Sequence, residues 1–416
     1  MTHTYKQTDV GMIPADWEVK RLGEVLTIKH GKNQSQVIVA SGMIPIYGSG
    51  GIIGWASKYL YDKPSVLIGR KGTIDSPYYM DIPFWTVDTM FYSEIFRNND
   101  AKFIFYIFNT IDWYAYNEAS GVPSLNAKTI ESISIPLPPL PEQRAIAAAL
   151  SDVDALIGAL EALIAKKRAI KQATMQQLLT GQTRLPGFAT TTAMQQTEVG
   201  LIPADWEVKR LGEVGEIASA GVDKKIQLDE LPVRLVNYLD VYRKDFIYSK
   251  DLNHWVSAPL HQARRCAVQK GDVFFTPTSE TRDDIAISAV AMEDIPDAAY
   301  SYHVTRLRLD ETWDLRFRTY IFKTQSFLNQ AQTLCDGSGT RYVISQAKFR
   351  NMIIQVPPLA EQTAIAAVLS DMDAELAALE AQLHKTRTIK QGMMQELLTG
   401  RTRLPVSPTQ EEAHAE

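Results

Sequence analysis

Residues 138–186 read PPLPEQRAIAAALSDVDALIGALEALIAKKRAIKQATMQQLLTGQTRLP, and residues 357–405 read PPLAEQTAIAAVLSDMDAELAALEAQLHKTRTIKQGMMQELLTGRTRLP. Pro136, Pro138, Pro139 and Pro141 suit the approach to a helix but not its interior, with Pro141 near the first turn. Glu142 then favours the positive helix start. Apolar residues follow at alternating three- and four-residue steps: Ile146, Leu150, Val153, Ile157, Leu160 and Ile164, then Ile365, Leu369, Met372, Leu376, Leu379 and Leu383 in the second copy. That spacing is a coiled-coil seam. The next seam positions are polar in both copies, Lys167/Lys171 and Thr386/Lys390, so the seam is expected to loosen there before resuming at Thr174–Leu178 and Met393–Leu397. Gly181 and Gly400 stop each helix, with Pro186 and Pro405 just beyond. Each helix is expected to run about 38 residues, roughly 57 Å at the α-helical rise.

Outside these stretches the duplication continues. Residues 8–25, TDVGMIPADWEVKRLGEV, match residues 197–214, TEVGLIPADWEVKRLGEV, and differ only at Asp9/Glu198 and Met12/Leu201. The chain therefore has a fixed frame around two unlike inserts. Drift after duplication would not spare the frame and scramble the inserts. A helix with one apolar stripe needs a partner, and the equal lengths nominate the two helices for each other. Chain direction then makes them antiparallel, with an insert domain at either end. Pairing with a second molecule would instead give a scaffold dimer, but it leaves the equal lengths unexplained.

At 416 residues the chain is too long for one ordinary core. No apolar run reaches the roughly 18 residues of a membrane span, and MTHTYKQTDVGM lacks the pattern of a signal peptide, so cytoplasmic residence is expected. Cys266 and Cys335 have no ligand spacing, which argues for buried thiols and no metal site. The net charge of −5 argues against binding DNA through a general positive field, though not against local basic loops.

The first insert, about 24–137, carries short β-prone runs broken by Gly and Pro, then a helical stretch near Phe103–Tyr116. The second, about 213–356, carries VRLVNYLDVY, RCAVQKGDVFFTP, IAISAVAM and SYHVTRLRL, then a helix near Arg316–Leu334. Both read as α+β. Base edges are read by Arg, Lys, Asn, Gln, Ser and Thr, which makes several polar loops candidates. In the first insert these are Arg70, Lys71 and Thr73 of IGRKGT, Ser49 of GSGG, and Ser120, Ser124 and Asn126 of SGVPSLN. In the second they are Thr276, Thr278, Ser279 and Arg282 of TPTSETR, and Ser338, Thr340 and Arg341 of DGSGTR. Arg234, Asn237, Tyr238 and Tyr242 are expected on one half-exposed strand.

Catalytic patterns are missing. Ser76-Pro77-Tyr78-Tyr79 does not fit the base-holding loop of an amino-methyltransferase, and no phosphate-binding P-loop or His-Glu-x-x-His occurs. Asp283/Asp284 and Asp371/Asp373 read as solvated charge, and His254, His261 and His303 lack ligand spacing.

The IPADWEVKRLGEV segments, the PPL-x-EQ helices with LSD-x-D, and the LLTG-x-TRLP ends resemble the specificity subunit of type I restriction-modification enzymes, over residues 8–405. The resemblance implies an α+β chain in which two α/β target recognition domains are separated by two long antiparallel helices. Those helices would form an intramolecular coiled coil with pseudo-twofold symmetry. The boundaries would be 1–137 and 187–356 for the domains and 138–186 and 357–405 for the helices, with a disordered acidic tail at 406–416. Each domain would read half of a bipartite, asymmetric site on double-stranded DNA, and the helices would set the gap. The implied partners are two methyltransferase subunits and restriction/translocase subunits, with no membrane. The chain itself would be non-catalytic and bind no cofactor, leaving S-adenosylmethionine, ATP and magnesium to those partners. A type II or methylation-only system using a similar subunit stays open, as does a scaffold without DNA specificity. The family more often has Lys-Asp where Pro277-Thr278 stand, which puts a phosphate contact at that place in doubt.

Overall fold

The computed structural model describes residues 4–189, 193–219 and 221–405; the tail expected at 406–416 lies outside the described residues. The PPL stretches open two long helices, Leu140–Leu179 and Leu359–Leu397. By contacts the chain falls into two units. One holds the described residues up to Ala162 with those from Glu380 onward, and the other is Leu163–Leu379. Each unit thus contains the first half of one long helix, the second half of the other, and one insert.

Within each unit the two helix halves run antiparallel in a single chain. In the first, Arg387 pairs with Glu161 at 2.5 Å and Lys390 with Asp154 at 2.6 Å, so partner numbers fall as helix numbers rise. In the second, Lys167 pairs with Glu375 at 2.6 Å and Lys171 with Asp373. Three of the four polar seam positions, Lys167, Lys171 and Lys390, therefore make interhelical ion pairs, while the Thr386 hydroxyl donates to the Gln382 carbonyl of its own helix.

The seam expectation needs correction at its N-terminal end in both copies. Ile146 and Leu150 are buried in the core of the first insert, with Trp17, Leu22, Ile104 and Phe108. Ile365 and Leu369 are buried in that of the second, with Trp206, Phe317 and Ile321. A seam residue beside a globular domain meets that domain before it meets a second helix. Leu160, Ile164 and Leu376 are buried, while Val153, Ile157, Met372, Leu379 and Leu383 are only half-buried. The helix C-termini join the same cores: Leu397 and Leu398 the first, Met175, Leu178 and Leu179 the second.

The first insert carries two four-stranded sheets. One orders Trp85–Thr86, Ile44–Gly48, Gly51–Ala56 and Ile38–Val39; the other orders Leu26–His30, Met90–Ile95, Ser65–Gly69 and Tyr78–Met80. The helical stretch is Ala101–Phe108, started by Asp100, whose carboxylate accepts from the Lys102 and Phe103 amides, followed by a short turn at Trp113–Tyr116.

The second insert has a five-stranded sheet centred on Asp272–Phe275, a four-stranded sheet containing Leu231–Val236, and a three-stranded sheet made of Thr278–Ser279, Arg341–Val343 and Asp336–Ser338. VRLVNYLDVY is not one strand. It is strand Leu231–Val236 and helix Tyr238–Arg243, because the Asp240 carboxylate accepts the Asn237 amide at 2.9 Å and opens a helix there. The expected Arg316–Leu334 helix is likewise two, Phe317–Ile321 and Gln325–Leu334, the latter capped by Thr324. Cys266 and Cys335 are free and buried.

Candidate nucleic-acid interface

The frame motifs meet in two equivalent latches. In the first, the Trp17 indole donates to Glu142 at 2.9 Å. Arg403 lies over the Trp17 ring, donates to Glu142, and forks onto Asp16 at 2.9 and 2.8 Å. In the second, Trp206 donates to Glu361 at 2.9 Å, and Arg184 lies over its ring and bonds Glu361 and both oxygens of Asp205. The Arg184 fork holds Asp205 below the ordinary carboxylate range. Gly400 and Gly181 turn at φ +70°, where a Cβ would lie 2.4 Å from Pro14 and Pro203 respectively. So IP, DW, EQ and TG-x-TR are one contact set, made twice.

A second repeated network joins insert to helix. The Tyr106 hydroxyl donates to Asp154 at 2.8 Å, and the Tyr320 hydroxyl to Asp373 at 2.7 Å. Those aspartates are the ones that Lys390 and Lys171 pair with. Gln143 and Gln362 add one more repeated contact, accepting the Asp100 and Asp314 amides at 2.9 and 3.1 Å. Sequence reasoning missed both networks, although LSD-x-D repeats visibly.

In the first insert three candidate loops converge. Lys71 bridges to Ser124, and the Gly72 amide donates to the Pro123 carbonyl at 2.9 Å. A Cβ on Gly72, whose φ is +93°, would lie 3.0 Å from the Ser49 hydroxyl, so the GSGG turn abuts the basic turn. Lys71, Thr73 and Ser120 are exposed, and Arg70 is half-buried with one guanidinium nitrogen on the Asp88 carbonyl. Asn126 is a helix cap, accepting the Lys128 amide at 2.9 Å, rather than a free reading group.

In the second insert a cleft of about 550 Å³ gathers Tyr238, Tyr242, Thr278, Ser279, Thr340 and Arg341 from separate candidate segments, with Glu280, Asp284 and His303 beside them. The Tyr238 and Tyr242 rings stack, 5.8 Å apart and 17° from parallel. Tyr242 donates to Asp284 at 3.1 Å. Burial, then Lys224 and Arg341, pushes His303 below its ordinary pKa, leaving it neutral near pH 7. Arg282 is exposed over the Tyr342 ring, and Ser338 lies exposed on the adjoining hairpin.

Three candidates are engaged by the fold rather than free to read bases. Arg234 forks onto Asp297 and donates to the Ser249 carbonyl at 2.6 Å, because its strand lies inside a sheet. Thr276 is fully buried, its hydroxyl accepting the Ile287 amide at 3.0 Å. Asn237 holds the N-cap position of its helix, its side chain donating to the Leu235 carbonyl and contacting His254, each at 3.2 Å. His303 and Asp284 were weighed only as metal ligands and Glu280 not as a reading residue; only the fold brings the three to the cleft.

The type I restriction modification DNA specificity domain model matches residues 14–172 and 203–387. The chain belongs to that family. As a type I specificity subunit it is 26% identical to the type I restriction enzyme MjaVIII specificity subunit of Methanocaldococcus jannaschii, covering 94% of both chains. The putative MjaX specificity subunit of the same organism is 24% identical, over 96% of this chain and 97% of that one. Among solved structures, the type I restriction-modification S subunit from M. genitalium superposes with a TM-score of 0.58 at 14% identity, covering 95% of this chain and 99% of that one. A chain from a structure of type I complex assembly and conformational transition gives 0.54 at 16% identity, over 94% and 99%. These two likenesses show a shared fold. Among the described residues of this specificity subunit, no helix is long and apolar enough to cross a membrane, and no cluster of metal-binding side chains is present.

Proposed function

We propose that this specificity subunit reads a bipartite, asymmetric site on double-stranded DNA, each insert recognising one half-site and the paired helices setting the gap. The observation that carries the reading is the doubled frame. Two latches of the same residues hold two inserts whose exposed loops differ. A frame that repeats while its reading loops diverge suits two unlike targets. Two contacts on one duplex bind cooperatively, because the second becomes intramolecular.

The subunit acts in the cytoplasm and does no chemistry. Two methyltransferase subunits dock on the helices and inserts and carry S-adenosylmethionine, while restriction subunits supply ATP- and magnesium-dependent translocation and cleavage. The absence of catalytic motifs from the sequence supports this division of labour.

The test is a swap. Residues 24–137 are replaced by the equivalent insert of another specificity subunit, the chain is co-expressed with its methyltransferase subunit, and the methylome is sequenced. One half-site should change while the other half and the gap persist. Change in both halves, or in neither, contradicts the reading.

A further inference from the structure

The cleft of the second insert has a chemistry unlike that of the basic turn in the first. It faces solvent with carboxylates, Glu280 and Asp284, beside a guanidinium, Arg341. Carboxylates near a DNA backbone are repelled by phosphate. They are useful there only against a base-edge donor, which the major groove offers as the exocyclic amino group of cytosine or adenine.

Asp284 is already engaged, accepting from Tyr242 at 3.1 Å and Thr281 at 3.4 Å. Glu280 is exposed and makes no side-chain hydrogen bond or ion pair among the described residues, and the same holds for the Arg341 guanidinium. Their placement is set by strand register. Thr278 faces Val343 and Ser279 faces Tyr342 on antiparallel strands. The pairing ends there, and the next residue of each strand, Glu280 after Ser279 and Arg341 before Tyr342, lines the same cleft. No salt bridge among the described residues joins these two, so an acceptor and a donor line one cleft with their hydrogen-bonding capacity unused.

We propose that this pair reads a C·G base pair in the second insert's half-site, Glu280 accepting from cytosine N4 and Arg341 donating to guanine O6 and N7. On the major-groove edge of C·G the amino donor adjoins the two guanine acceptors, the complement of a carboxylate beside a guanidinium. An A·T pair offers the carboxylate a donor but gives the guanidinium no second acceptor on the same purine, so it is discriminated against. The inference rests on the DNA-reading function proposed above.

The experiment uses the full chain with its methyltransferase subunits. Methylomes are compared for wild type, Glu280→Gln and Arg341→Ala, with the second half-site identified by exchanging residues 213–356. The wild-type half-site should contain a C·G pair. Each variant should relax preference at that one pair by roughly five- to a hundredfold and leave the first half-site unchanged. Both residues are exposed, so melting temperatures should stay near wild type, which separates misfolding from misreading. A second half-site made only of A·T pairs, unaltered preference in both variants, or a uniform loss of methylation across sequences with Arg341→Ala overturns the assignment. If wild type yields no split motif, the DNA-reading function itself fails and takes the inference with it.

Discussion

Arg403 touches a tryptophan and two carboxylates that lie hundreds of residues away in sequence. Its partner Glu142 is only 2% exposed, so Arg403→Ala leaves an unpaired charge in the interior. A loss of about 3–5 kcal/mol is expected, read by urea unfolding. Arg403→Lys should recover little, because an ammonium cannot fork. The buried phenols offer a pH test. Burial first, then Asp154 and Asp373 respectively, raises the pKa of Tyr106 and Tyr320 above the ordinary 10.0. A group whose folded pKa is raised stabilises fully below its unfolded pKa and loses that contribution as pH rises. Stability should therefore fall above about pH 10, and the Tyr106→Phe/Tyr320→Phe double variant should show a shallower alkaline loss in unfolding measured from pH 8 to 11. The residue types of both networks stand in plain view in the repeated motifs. Their partnership does not, since nothing local in the chain says that an arginine near its end will stack on a tryptophan near its start.

The long helices were legible as elements because proline, glycine and apolar spacing all agree over nearly forty residues. What each apolar residue touches was not. A seam position packs against whatever surface lies beside it, and the periodicity of Ile146 and Leu150 is the same whether that is a helix or an insert core. Leu150→Ala and Leu369→Ala, both at fully buried sites, should each cost about 2–5 kcal/mol. Each should also lower hydrogen-exchange protection in its own insert, whereas a pure helix seam would lose protection only along the helices. Short elements were harder to read. VRLVNYLDVY alternates like a strand until Asp240 caps Asn237, and that capping contact overrides the alternation. Thr276 and Arg234 carry side chains fit for DNA, but a buried strand end and a sheet carboxylate claim them.

For the whole molecule, the sequence showed the repeat, the two unlike inserts and the antiparallel pairing, because duplication and chain direction constrain topology strongly. It did not show the cleft, whose walls come from four segments spread over about a hundred residues. The proposed spacer role belongs to this scale. Four residues added to both long helices, after Leu163 and after Gln382, extend each by one turn, about 6 Å, and should widen the unread gap by one or two base pairs without altering either half-site. The measurement that bears most directly on the central claim is methylome sequencing of cells expressing this chain with its methyltransferase subunit alone. One split motif, two short specified halves around a fixed unread gap, is predicted; an uninterrupted motif, or no methylation above the level without the chain, would contradict it.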